Sequence, residues 1–167
     1  MQKFSKLQRN NFNYLSLKFW LLAIFLITYE FYTSQYRFLP PLLGVFMQYF
    51  LILTFDAKFN LENFDFRWYC VLFFLIFCEQ IQGFFLFSSI ITFLIYFYFL
   101  DDYLRNTIKF RIFLIICANF AGYIGILSVS NLISYMKNVP LSPLSNEYYF
   151  YIMIESIFCF FMFKDRI

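Results

Sequence analysis

From Trp68 to Leu100 the chain runs through 33 residues whose only polar cluster, Glu79, Gln80, Gln82 and Gly83, stands near the middle. A lipid-spanning helix needs about 20 predominantly apolar residues. This stretch is therefore too long for one ordinary span and short for two. It is either a single tilted helix or a tight helical hairpin turning at Gln80 to Gly83, and the choice decides which end of the molecule every later segment faces.

Four further apolar runs accompany it: Leu17 to Tyr32, Phe38 to Phe55, Ile112 to about Tyr135, and Tyr148 to Phe163. Pro40 and Pro41 are expected in the first turn of the second helix, where the N–H groups have no intrahelical partner in any case. The break from Met136 to Glu147 holds Pro140, Ser142, Pro143 and Asn146 and reads as a turn-rich loop. Only 14% of the 167 residues are charged and 62% are hydrophobic, whereas a soluble domain keeps roughly a quarter of its residues charged. The charges are too few to coat a globule and sit between the apolar runs, which places the chain among integral membrane proteins. The 29 Phe and 14 Tyr beside only 4 Gly suggest AT-rich coding DNA, bacterial or organellar.

Basic residues arbitrate between hairpin and single span, because they accumulate on the cytoplasmic side of short loops. With a hairpin, Lys3, Lys6, Arg9, Lys18, Lys58, Arg67, Arg105, Lys109, Arg111, Lys164 and Arg166 share one side, and only Arg37 and Lys137 lie opposite. With a single span the same residues divide seven against six. The reading that follows is an all-α fold, a polytopic integral membrane helix bundle. It has about six transmembrane helices, the third and fourth a short hairpin, with both termini on the cytoplasmic side. Residues 1–167 form one transmembrane domain, in which 1–16 is a basic N-terminal cytoplasmic segment. The run after it ends in Glu30 and bulky aromatics with no small-residue cleavage site, so it is expected to stay as a first helix rather than leave as a signal peptide.

Polar residues at membrane depth are the candidate functional positions: Gln48, Glu79, Gln82, Asn119 and Glu155. An ionised carboxylate at the depth of Glu155 costs at least about 2.5 kcal/mol. Glu155 is either a functional group (proton carrier, ion ligand, contact to a partner's basic residue) or a protonated carboxyl bonded to Asn119 or Gln48 as interhelical glue. Glu79, Gln80 and Gln82 are expected to satisfy the backbone of the hairpin turn, with a partner or ligand contact as the alternative. Ala118, Ala121, Gly122, Gly125 and Ser128 form a small-residue stripe that lets another helix approach, and Asn119 shares a face with Gly122. Asp101 and Asp102 are expected to end the fourth helix in solvent, and Glu30 and Arg37 to flank the first external turn and pair weakly. Trp20 and Trp68 fit interfacial belts.

Catalytic signatures do not emerge. There is no His, and Cys70, Cys78, Cys117 and Cys159 form no CxxC pair, so the usual zinc and haem ligand sets are lacking. No cofactor and no disulfide are expected. No phosphate-cradling loop, nucleophile elbow or HExxH occurs, and the net charge of +3 with no dense basic run argues against nucleic acid.

Arg37, Phe38, Leu39 and Pro40 form a charged-then-proline entry to the second helix, and the hairpin after Trp68 carries Glu79 and Gly83. In this layout the chain resembles MreD, the small membrane subunit of the bacterial rod-shape machinery, whose members have both ends cytoplasmic and a short helical hairpin with an acidic residue and glycines. The family typically has an aspartate and several glycines there, where this chain has a glutamate and one glycine. The resemblance implies a non-enzymatic scaffold of the bacterial inner membrane that binds other integral or bitopic membrane proteins such as MreC, besides membrane lipids. It would couple cytoskeletal filaments to peptidoglycan synthesis and cell shape. Two other readings stand beside it. In one, a small transporter or vitamin-transporter substrate-binding subunit has Gln48, Asn119 and Glu155 lining a midplane pocket. In the other, the chain is a hydrophobic accessory subunit of a respiratory complex, in the mitochondrial inner membrane.

Overall fold

The computed structural model describes residues 17–36, 38–60, 64–107 and 110–163. The basic segment 1–16, Arg37, Lys109, Lys164 and Arg166 lie outside the described residues, and with them the expected Glu30–Arg37 pairing. Among the described residues all regular structure is helical: α1 (Leu17–Gln35), α2 (Leu43–Asn60), α3 (Phe66–Gln82), α4 (Ser88–Ile95), a π-helical turn (Tyr96–Leu100), α5 (Asp101–Thr107), α6 (Arg111–Met136) and α7 (Glu147–Phe163). Since α4, the π turn and α5 are continuous, these make six helical segments.

The long apolar run from Trp68 breaks where its polar cluster stands. Gly83 takes the left-handed conformation with φ 76°, which a residue without Cβ reaches at no steric cost. Its N–H meets the Gln80 carbonyl and the Phe84 N–H meets the Glu79 carbonyl at 2.9 Å, the paired bonds that close a helix C-terminus. After four more residues α4 starts in the opposite direction. The prolines differ from expectation: α2 begins at Leu43, not at Phe38, so Pro40 and Pro41 precede its first turn. Pro40 and Pro41 are buried in the connection that precedes it, and Leu42 turns the chain into the helix at φ 55°. Prolines fix φ and donate no N–H, so the segment crosses the interior with two fewer amides to satisfy.

Asp101 is also a correction. The helix does not end there. The π turn puts residues i and i+5 above one another, which brings Asp101 beneath the buried Tyr96, and Asp101 is only 3% exposed. The side chain of Asp102 lies outside the described residues.

Side-chain pairs give the directions of packing. Trp68 meets Thr54 and Phe74 meets Phe46 across α2 and α3. Phe85 meets Ser130, and Thr92 faces Gly125, as the α4 side packs along α6. Asn119 meets Ser156, and Tyr123 meets Tyr151, across α6 and α7. Each of these is antiparallel, whereas α1 and α3 run parallel (Glu30 with Cys78, Thr33 with Gln82). Successive segments thus alternate in direction, and Leu17 and Phe163 lie at the same end of the bundle. The described basic positions Lys58, Arg67 and Arg111 belong to that end and Lys137 to the other.

Phe50 is the centre of the aromatic core, with the Trp68 ring at 4.8 Å and the Phe93 ring at 4.3 Å. Trp68 therefore does more than sit in a belt: it packs on Phe50 and donates to the Thr54 hydroxyl at 3.0 Å. Large apolar residues such as Phe73, Tyr98, Phe99 and Phe161 are outside, while Glu30, Glu79, Asn119 and Glu155 are fully buried. One helix among the described residues, Ile112–Met136, is by itself long and apolar enough to cross a membrane. By contrast α1, α2, α3 and α7 have 19, 18, 17 and 17 residues, and like α6 each has a buried polar side chain.

The small-residue stripe on α6 yields a pair of substitutions with different outcomes. A Cβ at Gly125 would run into the Thr92 methyl, whereas one at Gly122 would meet Met47 Cγ at an ordinary 3.6 Å. Gly125→Ala is expected to lower stability by about 1–3 kcal/mol through overpacking. Gly122→Ala should be neutral or stabilising by up to about 1 kcal/mol from helix propensity. Thermal unfolding of both variants in detergent checks this.

Candidate functional site: a buried polar network

Two polar centres lie inside the bundle. The first surrounds the start of α2. Glu155, two turns into α7, accepts the Val45 N–H at 3.1 Å and the Tyr123 hydroxyl. The Gly44 N–H also bonds to it. Its carboxyl group therefore occupies the position of a helix N-cap, satisfying amides that α2 leaves without intrahelical partners. Asn119 borders the same turn. With its amide oriented so that each atom meets a complementary group, Nδ2 donates to the Gly44 carbonyl at 3.1 Å, and Oδ1 accepts from the Ser156 N–H at 3.2 Å and hydroxyl at 3.0 Å. Tyr29 of α1 donates to the Pro40 carbonyl at 2.9 Å. Side chains from α1, α6 and α7 thus converge on one short stretch of backbone, residues 40–45.

The expected bond from Glu155 to Asn119 or Gln48 is not what the structure has. Asn119 neighbours Glu155 through Gly44, and Gln48, one turn further along α2, donates to the Ile115 carbonyl at 3.2 Å. The reason is competition among donors for the carboxyl oxygens. Backbone N–H groups at an interior helix start have no alternative partner, while a side-chain amide can reach a nearby carbonyl.

The second centre is the hairpin. Glu79 accepts the Phe87 N–H at 3.0 Å and the Ser89 N–H, so a carboxyl group from α3 caps α4. No side-chain cap comes from α4's own N-cap residue, Phe87, which is left-handed at φ 71°. Gln80 is exposed. Gln82 does not serve the turn: it donates to the Thr33 hydroxyl at 3.1 Å. That hydroxyl lies 2.6 Å from Glu30 Oε2 and 2.8 Å from the Glu30 carbonyl, and the Cys78 thiol donates to Glu30 Oε1 at 2.8 Å. Glu30, expected at an external turn, is buried as part of this clamp between α1 and α3.

Of the five candidate residues, Asn119 and Glu155 share the α2 centre, with Gln48 beside it. Glu79 and Gln82 belong to the hairpin and the α1 clamp. Glu30, Thr33, Cys78 and Tyr123 were not among the candidates. Tyr123 had one sequence signal, a tyrosine placed mid-run and not at a span end, and Glu30 and Thr33 had another, two polar groups spaced to share a helix face.

Next to Gln48 is a cavity of about 20 Å³, lined also by Tyr96, Asp101 and Ala118, room for about one water molecule. Among the described residues no group of three or more His, Cys, Asp or Glu could hold a metal ion. No family model matches the chain, and the searches of curated proteins and of solved structures return no match.

The crowding at the α2 start is directly testable. A Cβ on Gly44 would sit 2.6 Å from a Glu155 carboxyl oxygen and 2.9 Å from the Asn119 side chain. Gly44→Ala is expected to cost about 1–3 kcal/mol, read as a lowered unfolding midpoint in detergent. Tyr123→Phe removes one of the partners of Glu155 and is expected to cost about 1–3 kcal/mol, the range for leaving a buried polar group unsatisfied.

Proposed function

We propose that this chain is a polytopic integral membrane protein of the MreD type, a non-enzymatic scaffold subunit that binds other membrane proteins. Its six segments cross the bilayer with both termini in the cytoplasm. Support for the membrane assignment comes from the many large apolar side chains outside, beside an equally apolar core, with three glutamate carboxyl groups fully buried, which suits a lipid surround better than water. Helices of 17 residues extend about 26 Å, close to the hydrocarbon thickness of about 30 Å. The described basic positions gather mostly at the end that holds Leu17 and Phe163, as expected of the cytoplasmic side.

One observation carries the MreD reading: the α3–α4 hairpin closes at Gly83 with Glu79 buried at its turn, where the resembling family has an acidic hairpin. Most of the buried polar side chains bond within the bundle, the Thr92 hydroxyl being an exception, and the cavity beside Gln48 has water-sized dimensions. That cavity is far below the about 300–1,000 Å³ of small-molecule pockets, which favours a packing role for Gln48 over lining a vitamin-sized site. The partner class is a bitopic, single-span membrane protein of the MreC kind, in a bacterial inner membrane, and the process is cell-wall elongation.

Affinity purification of the tagged chain from native membranes in mild detergent tests this. Mass spectrometry is expected to recover a single-span partner together with peptidoglycan-synthesis proteins. Recovery instead of haem- or flavin-containing respiratory subunits, or of a transport ATPase, would overturn the proposal.

A further inference from the structure

Helices α2 and α4 have a common construction. Each starts inside the bundle after a non-glycine residue in the left-handed region, Leu42 at φ 55° and Phe87 at φ 71°. Each offers its first backbone N–H groups to a fully buried carboxyl group from a helix elsewhere in the sequence, Val45 and Gly44 to Glu155 of α7, Phe87 and Ser89 to Glu79 of α3. The side-chain partner added at Glu155 is again a donor, the Tyr123 hydroxyl. Backbone amides can only donate, so a protonated carboxyl would set its own O–H against them at both oxygens of Glu79 and at Oε2 of Glu155; the Tyr123 hydroxyl, which also accepts, faces only Oε1 of Glu155. Glu30 differs. Its contacts are a hydroxyl and a thiol, Thr33 and Cys78, with no backbone amide in the set.

We propose that Glu79 and Glu155 are ionised within the bundle and act as two independent anionic latches, each holding the start of a helix in place. Their charge is compensated by oriented backbone amides and by the positive end of the helix dipole. The consequence is conformational. The segment 40–45 is placed by Glu155 and the turn 84–89 by Glu79, so neutralising one carboxylate frees one helix start and leaves the other unchanged. The latches would operate whatever partner the protein binds.

The full-length protein in lipid nanodiscs tests the inference in two ways. Hydrogen–deuterium exchange followed by mass spectrometry is expected to show, in Glu155→Gln, exchange in the first turn of α2 raised by roughly tenfold, the size of a lost helix cap, with the start of α4 unaffected. Glu79→Gln should do the reverse, and Glu30→Gln should move neither. Difference infrared spectra of wild type against Glu155→Gln should lose a carboxylate stretch. Exchange rising together at both helix starts in any single variant, no rise in either, or loss of a protonated carbonyl stretch would each overturn the proposal.

Discussion

A helix that begins among apolar side chains brings its first backbone N–H groups with it, and only another part of the chain can accept their hydrogen bonds. This constraint organises the molecule. Both α2 and α4 begin in such surroundings, and each is met by a carboxyl group delivered from a neighbouring helix, Glu155 and Glu79. Once α4 is held at Glu79 it runs back along α6, and Phe93 reaches Phe50. Once α2 is held at Glu155 its Met47 and Phe50 enter the core, and Gln48 reaches the Ile115 carbonyl. Aromatic packing then fills space that the polar contacts have already positioned.

Glu30, Glu79, Asn119 and Glu155 are engaged inside the bundle, so the scaffold proposal rests on its exterior. The outward faces carry Phe73, Phe99 and Phe161, residues that fit acyl chains or the helix of a partner equally well in polarity. The described helices are joined by short connections, and their outward faces offer a large apolar surface for interaction. That is the physical content of the scaffold proposal.

The sequence made some of this legible and left some of it hidden, for reasons that can be named. The break near Gly83 was visible because four polar residues interrupt an apolar run too long for one span. The alternation of segments followed from the distribution of basic residues, and the face shared by Asn119 and Gly122 followed from helical spacing. Glu30 and Asp101 were misplaced because position near the end of an apolar run was read as exposure. A clamp to Cys78 in one case, and a π turn in the other, rotate them inward; the spacing of Glu30 and Thr33 hints at the first, and the second has no local signature. The partners of Glu155 were hidden because its principal acceptor role is toward backbone amides, which every residue but proline has and which no side-chain pattern announces. The late start of α2 is hidden for a related reason: proline is compatible with a first helical turn, and neither the Tyr29 bond to the Pro40 carbonyl nor the left-handed turn at Leu42 is announced by the sequence.

The central claim is that the chain reverses at Gly83 within the membrane, so that Arg105 returns to the side from which α1 began. Accessibility of single reporter tags in intact and permeabilised membranes measures this directly. The account predicts tags at Lys3 and Arg105 on one face and at Lys137 on the other. Lys3 and Arg105 on opposite faces would contradict it.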